Sequence, residues 1–164
     1  MKSTTFFIFL SLCVFINTMT LPSSFAVSDT YNWYSEADGY EEAIALAKEG
    51  KRPIVIYFHV DWCSYCKRFD REYIDDNDIY DFLSDYLRVE INPEDGDHER
   101  TIADQYDVKG YPTFLITSPG INEHWYFNPF RKDGDDQDIE SFINDMKDAI
   151  KYVNGKNNNT TNDN

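Results

Sequence analysis

Basic residues are scarce in this sequence. Lysine and arginine together number 15, against 30 aspartates and glutamates, and the formal net charge is −15 at pH 7. A surface with this charge repels the phosphates of nucleic acids and the headgroups of anionic lipids. We therefore expect the chain to bind neither nucleic acid nor a membrane surface.

Long apolar runs are also few, and the clearest one lies at the N-terminus. Lys2 is followed by an apolar stretch over residues 6–16 and by Ser-Phe-Ala at residues 24–26, the small-residue pattern that a signal peptidase needs. The stretch is shorter than the roughly 20 residues that cross a bilayer. These features predict a secretory signal peptide over residues 1–26, with an uncleaved signal anchor as the alternative. No later segment predicts a membrane span, so we expect none in the mature chain.

Cysteine is rare as well. The chain has three, and Cys13 lies inside the predicted signal peptide, so the mature chain would keep only Cys63 and Cys66. It would then lack the long-range disulfides typical of exported domains. A disulfide between residues three apart closes a very small loop and is expected to contribute only about 2 kcal/mol to stability. The pair therefore suits reversible chemistry better than structural cross-linking.

Residues 27–153 have the size and aromatic content of one domain, whereas residues 154–164 are asparagine-rich and have no apolar anchor. We expect a single domain followed by a disordered tail. Apolar periodicity and turn residues predict alternating helices and strands. The predicted helices are 38–50, 63–74, 79–86, 98–106 and 139–153, and the predicted strands are 53–60, 87–91, 113–117 and 124–127.

A Cys-x-x-Cys motif follows the apolar strand 53–60. Residues 62–66 read Trp-Cys-Ser-Tyr-Cys, at the predicted start of a helix. A cysteine at a helix N-terminus faces unpaired backbone N–H groups and the positive end of the helix dipole, which lowers its pKa to about 3.5–7.5. The position predicts that Cys63 is the nucleophile in disulfide exchange. Cys66, one turn further in, would resolve the mixed disulfide with the substrate.

The order of these elements resembles the thioredoxin superfamily. The match rests on Trp-Cys-Ser-Tyr-Cys-Lys at residues 62–67 and on Tyr-Pro-Thr at residues 111–113, and it covers about residues 33–153. Within the superfamily, the chain is similar to exported thioredoxin-like domains such as the C-terminal periplasmic domain of the disulfide reductase DsbD. The resemblance implies an α/β thioredoxin fold, in which helices flank both faces of a central mixed β-sheet.

The resemblance also implies roles for residues outside the cysteine pair. Pro112 would follow a cis peptide bond and lie against the cysteines, while Tyr111 would offer backbone groups to an extended substrate. Trp62 would belong to the same substrate-binding surface. The alternatives are a proline that only starts an edge strand and a half-buried packing tryptophan. We expect no cofactor and no metal, because of the three histidines only His59 lies near the cysteines and a tetrahedral site needs four ligands.

One position departs from the superfamily pattern. Thioredoxins usually carry a buried acid six residues before the first cysteine, where this chain has Tyr57. A phenol with a pKa of about 10 is a poor base at neutral pH. Asp70 lies one helical turn beyond Cys66 and matches an acid found in DsbD-like domains. We hypothesise that Asp70 partly replaces the missing proton relay, the alternative being a solvated helix acid.

The residues and the resemblance together predict an exported thiol–disulfide oxidoreductase. It would exchange disulfides with protein substrates, as a reductase or isomerase rather than as a strong oxidase, and a separate redox partner would recycle the pair. We expect a monomer in the periplasm, with secretion or a eukaryotic secretory route as alternatives. The competing hypotheses are a chaperone for a soft metal such as Cu(I), bound by both thiolates, and an interaction module that has lost efficient turnover.

Overall fold

The computed structural model describes residues 33–50, 52–120, 123–130 and 136–159. The predicted signal peptide and residues 160–164 of the predicted tail lie outside these ranges. In the described part of the chain, the strands form one five-stranded sheet with helices on both faces. This arrangement confirms the predicted α/β thioredoxin fold. No helix within the described ranges combines the length and apolarity that a membrane crossing requires.

Helices and strands alternate along the described residues. A π-helical turn, Asp70–Ile74, directly follows the helix that carries the second cysteine. The strands are β1 (Tyr34–Ser35), β2 (Ile54–Phe58), β3 (Leu87–Ile91), β4 (Thr113–Thr117) and β5 (Trp125–Phe127), and the helices are α1 (Glu36–Gly50), α2 (Ser64–Phe69), α3 (Asn77–Leu83), α4 (Asp97–Gln105) and α5 (Ile139–Asn159).

Strand β2 lies at the centre of the sheet, whose strand order is β1-β3-β2-β4-β5. β1 and β3 pair in parallel, as do β3 and β2, whereas β4 is antiparallel to both β2 and β5. All five residues of β2 are buried. Its continuous apolar sequence is what a strand covered on both faces requires.

Successive residues of β2 point to opposite faces of the sheet and so divide the core in two. Ile56 and Phe58 pack into the cluster that α1 and α4 cover. Val55 and Tyr57 pack into the other cluster, together with residues of α2, the π-helical turn, α3 and α5. In that second cluster, Phe69 anchors α2 to the sheet by packing against several aromatic rings. The neighbouring rings include those of Tyr57, Tyr73, Phe114 and Phe142.

Several element boundaries differ from the sequence predictions. β1 was not predicted, because two residues show no periodicity. The predicted helix 63–74 is α2 followed by the π-helical turn, and α1 begins two residues before its predicted start. α5 continues to Asn159, so it overlaps the predicted disordered tail. Residues 154–156 are exposed, and Lys156 lies 3.9 Å from a carboxylate oxygen of Glu123.

Candidate active site around Cys63 and Cys66

Cys63 is the N-cap residue of α2. Its backbone is extended, with φ −72° and ψ 107°, and its Sγ accepts a hydrogen bond from the Cys66 N–H at 3.0 Å. Its own N–H donates to the carbonyl oxygen of Val60 at 3.1 Å, which closes the turn after β2. The first cysteine therefore lies where the helix exposes its unpaired N–H groups. Such groups stabilise a negatively charged sulfur at a helix start.

Cys63 and Cys66 form a disulfide with their Cα atoms 5.2 Å apart. Both residues are buried, with 5% of Cys63 and 2% of Cys66 exposed. They form a small cluster with Val60, against which Tyr111 packs. Tyr111 therefore borders the disulfide.

The residues predicted to bind substrate lie around the same disulfide. The Tyr111–Pro112 peptide bond is cis. Trp62 meets Tyr111 edge to face, with ring centroids 6.5 Å apart and an interplanar angle of 81°. The indole is exposed, so Trp62 is not the half-buried packing residue of the alternative interpretation. The two rings form an aromatic rim beside the cysteines.

Beneath the pair, Tyr57 and Asp70 are joined by a hydrogen bond. The Tyr57 hydroxyl donates to Asp70 Oδ1 at 2.7 Å and lies 3.5 Å from the carbonyl oxygen of Cys66. β2 places Tyr57 on the face covered by α2, and the spacing of four residues places Asp70 on the same side of the helix as Cys66. Tyr57 is buried and Asp70 is half-buried. Asp70 is therefore not a solvated helix acid.

Burial raises the pKa of Asp70 above the usual range for aspartate. The hydrogen bond from Tyr57 and the nearby His59 oppose this effect, whereas the charges of Asp75 and Glu90 add to it. Burial, and then the contact with Asp70, also raise the pKa of Tyr57. The phenol therefore stays neutral and acts as a hydrogen-bond donor, while the carboxyl group is the one that can exchange a proton.

His59 packs beside the Tyr57–Asp70 pair. Its ring stacks on Tyr57, with centroids 5.1 Å apart, and its Nε2 is buried without a hydrogen-bond partner. His124 lies elsewhere, with its Nδ1 3.1 Å from the Thr117 hydroxyl. Within the described ranges no three histidine, cysteine or acidic side chains are grouped as metal ligands would be.

Two further residues extend the site, and neither was predicted. Glu94, on the loop after β3, accepts a hydrogen bond from the Trp62 indole N–H. Phe130 lies beside Tyr65, with ring centroids 5.9 Å apart, and Arg68 stacks over its ring. Both residues reach the motif from distant parts of the chain. No local spacing in the sequence relates them to the cysteines.

A sequence profile described as thioredoxin-like matches residues 32–119. Thiol:disulfide interchange protein DsbD 1 of Pseudomonas aeruginosa is 31% identical over 85 residues, which cover 51% of this chain and 14% of that protein. Protein disulfide-isomerase A4 of Mus musculus is 26% identical over 96 residues, which cover 58% of this chain and 14% of that protein. The chain therefore matches only a small part of these relatives. The similarity to DsbD confirms the resemblance noted in the sequence.

Solved structures share the same fold. An oxidoreductase named DsbH has a TM-score of 0.56 at 21% identity, covering 81% of this chain and 92% of its own. A thioredoxin from Thermus thermophilus has a TM-score of 0.55 at 21% identity, covering 74% and 88%. The oxidised C-terminal domain of DsbD from Neisseria meningitidis has a TM-score of 0.53 at 15% identity, covering 71% and 98%.

The hydrogen bond between Tyr57 and Asp70 predicts a pH-dependent loss of stability in Tyr57→Phe. It favours the ionised carboxylate, so its contribution is largest above the pKa of Asp70 and decreases as Asp70 is protonated. We expect the variant to lose about 2 kcal/mol of unfolding free energy at pH 7 and about 1 kcal/mol at pH 3.5.

Urea unfolding at the two pH values measures this difference. Tyr73→Phe is the matched control, because the Tyr73 hydroxyl donates to the neutral carbonyl of Gln137 at 2.6 Å. Tyr73→Phe should lose the same amount of unfolding free energy at both pH values. Equal losses at both pH values for Tyr57→Phe would contradict the assigned role of the bond.

Proposed function

The chain belongs to the thioredoxin-like family, and on that premise we propose that it is a thiol–disulfide oxidoreductase acting on protein substrates. One observation carries the proposal: Cys63 and Cys66 form a disulfide at the start of α2, beside the cis bond before Pro112. The names of the relatives, a thiol:disulfide interchange protein and a protein disulfide-isomerase, support the same class of activity.

In the proposed reaction, reduced Cys63 attacks a substrate disulfide as a thiolate. A bond forms between Cys63 Sγ and one substrate sulfur, the substrate disulfide breaks, and the second substrate sulfur leaves as a thiolate that takes a proton from water. Cys66 then loses its proton, and its sulfur attacks Cys63 Sγ. The mixed disulfide breaks and the first substrate sulfur is released. The substrate has gained two electrons, and the cysteine pair has been oxidised to its disulfide.

Re-reduction of the pair requires a dithiol donor, which we assign to a separate redox partner. The same steps in reverse would oxidise a substrate dithiol. We propose reduction or isomerisation as the main direction, and the similarity to DsbD and to protein disulfide-isomerase supports this preference. A reduction potential of about −270 mV is typical of a thioredoxin-like reductant, and a value of about −120 mV is typical of an oxidant.

Trp62, Tyr111 and Pro112 are the proposed substrate-binding residues. The edge-to-face contact between Trp62 and Tyr111 and the packing of Tyr111 against the cysteine cluster support this assignment. An extended substrate segment could pair with the backbone at Tyr111 and so bring its own cysteine next to Cys63.

Asp70 is the proposed acceptor of the Cys66 proton. Its half-buried carboxyl group, its raised pKa and its position one turn beyond Cys66 support this role. A base with a pKa moved towards neutrality is better matched to proton transfer from a thiol than an exposed aspartate. Tyr57 is a positioning residue in this scheme, because its hydroxyl fixes the orientation of the carboxylate.

We further propose that the protein is exported and acts as a monomer in the periplasm. Residues 1–26 would be removed as a signal peptide, residues 27–153 would form the functional domain and residues 154–164 a tail. The charge and apolar pattern of the first 26 residues supports this assignment.

The proposed function predicts that the protein reduces insulin disulfides when a dithiol donor is supplied. Cys63→Ser should lower the rate to that of the donor alone, since Cys66 does not occupy the helix start that would activate the attacking sulfur. Precipitation of the insulin B chain measures the reaction, and circular dichroism checks that the variant is folded. Full activity in Cys63→Ser would contradict the proposal. Tight Cu(I) binding without insulin reduction would instead favour the metal-chaperone hypothesis.

The proposed role of Asp70 predicts slower resolution in Asp70→Asn. We expect the rate at which Cys66 releases substrate from a preformed mixed disulfide on Cys63 to fall by about tenfold at pH 7, since the amide cannot accept the proton. Quenched-flow measurement of the released thiol follows this step. Asp81→Asn, an exposed acid on α3, is the matched control and should leave the rate unchanged. An unchanged rate in Asp70→Asn would remove Asp70 from the mechanism.

A further inference from the structure

Trp62 is highly exposed and yet fixed in its orientation. Its side chain is 68% exposed, so packing alone does not hold it. Its indole Nε1–H donates to both carboxylate oxygens of Glu94, at 3.0 and 3.2 Å. A hydrogen bond to an ionised group is about twice as strong as one between neutral groups. The bond to Glu94 and the contact with Tyr111 together orient the indole.

Glu94 is itself held by the loop between β3 and α4. The buried Asn92 accepts a hydrogen bond at its Oδ1 from the Glu94 N–H at 3.1 Å, and its Nδ2 donates to Asp95 at 2.8 Å. The backbone N–H of Asn92 donates to the carboxylate of Glu36 at 3.2 Å, at the start of α1. The loop is thus anchored to the fold without any help from Trp62. The backbone of Glu94 is thus fixed by Asn92, and from it the carboxylate reaches the indole.

The indole also faces Tyr111, the residue before the cis bond to Pro112. Trp62 meets Tyr111 edge to face, and Tyr111 packs against the cluster that contains Cys63 and Cys66. Glu94, Trp62 and Tyr111 therefore form a continuous series of contacts that ends at the disulfide. A shift of Glu94 would move the aromatic rim against which a substrate segment must lie.

The charge of Glu94 also acts on this rim. Burial raises the pKa of Tyr111, the charges of Glu94 and Asp104 raise it further, and Arg100 lowers it. The charges of two acidic residues and one basic residue thus act on the Tyr111 side chain. The net charge of −15 on the whole chain adds a long-range attraction for cationic partners.

We propose that Glu94 is a positioning and specificity-determining residue of the docking surface. It fixes Trp62 beside Tyr111, and its charge selects protein substrates that carry lysine or arginine next to the reactive cysteine. This inference rests on the proposed disulfide exchange and names the class of substrate for it. Complementary charge at the rim of an interface mainly accelerates association and excludes partners of like charge.

Two variants separate the two roles. Glu94→Gln keeps an oxygen that accepts the indole N–H but removes the charge, whereas Glu94→Leu removes both. Glu49→Gln is the matched control. Glu49 is exposed at the C-terminal end of α1, which leads into the start of β2, whereas Cys63 follows the end of β2. The substrates are three disulfide-linked peptides with lysine, serine or glutamate beside the cysteine. The full mature protein is assayed with a dithiol donor at low and high salt.

The wild type should prefer the lysine peptide over the glutamate peptide by about tenfold in kcat/KM at low salt, and this preference should shrink at high salt. Glu94→Gln should reduce the preference by about threefold and leave the serine peptide unaffected. Glu94→Leu should raise KM about fivefold for the serine peptide with kcat nearly unchanged, because a displaced rim weakens docking rather than chemistry. It should also lose the same charge preference as Glu94→Gln, because it too lacks the carboxylate. Glu49→Gln should behave as the wild type.

Nuclear magnetic resonance gives an independent readout of the positioning role. The indole N–H signal of Trp62, identified by its loss in Trp62→Phe, should move less in Glu94→Gln, which keeps a hydrogen-bond acceptor, than in Glu94→Leu, which leaves the N–H without one. An unchanged peptide preference in Glu94→Gln would overturn the charge selection, and an unchanged KM and indole signal in Glu94→Leu would overturn the positioning role. If the wild type turned over none of the peptides, the proposed function itself would fail, whereas turnover without charge preference would overturn only this inference.

Discussion

The hydrogen bond from the Cys66 backbone N–H to the Cys63 sulfur is the contact on which the site depends. It makes one side chain both the cap of α2 and the proposed nucleophile, so the N–H groups that a helix start leaves unpaired are directed at the reacting atom. It also fixes the direction in which α2 leaves β2. That direction brings Cys66 into the interior and Tyr111 against the pair. Every other feature of the site is arranged around this helix start.

The sheet supplies the second layer of the site. Because side chains alternate along β2, Phe58 faces α1 and α4 while Tyr57 faces α2. Asp70 lies where α2 gives way to the π-helical turn, at the level of the Tyr57 hydroxyl. π-Helical turns are rare and occur frequently at functional sites. Cys63 thus lies at the N-terminal end of α2, and Asp70, half-buried and bonded to Tyr57, lies where that helix ends.

The sequence predicts the parts of this arrangement that depend on local pattern. The apolar run of β2, the cysteine pair at a helix start and the spacing of four residues between Cys66 and Asp70 all follow from neighbouring residues. The cis bond before Pro112 follows from the family resemblance. The bond between Tyr57 and Asp70 depends on strand direction and on the π-helical turn, which periodicity does not encode. The contact between Trp62 and Glu94 joins residues 32 positions apart and depends on a loop conformation.

Trapping the mixed disulfide shows whether Cys63 is the nucleophile and Cys66 the cysteine that releases the substrate. A disulfide-linked peptide is mixed with reduced Cys66→Ser and with reduced Cys63→Ser, and intact mass spectrometry measures the adducts. We expect Cys66→Ser to accumulate one peptide on Cys63 and Cys63→Ser to accumulate almost none, because only Cys63 occupies the N-cap of α2, where unpaired N–H groups stabilise the attacking sulfur. Equal adduct formation in both variants, or faster formation on Cys66, would contradict it.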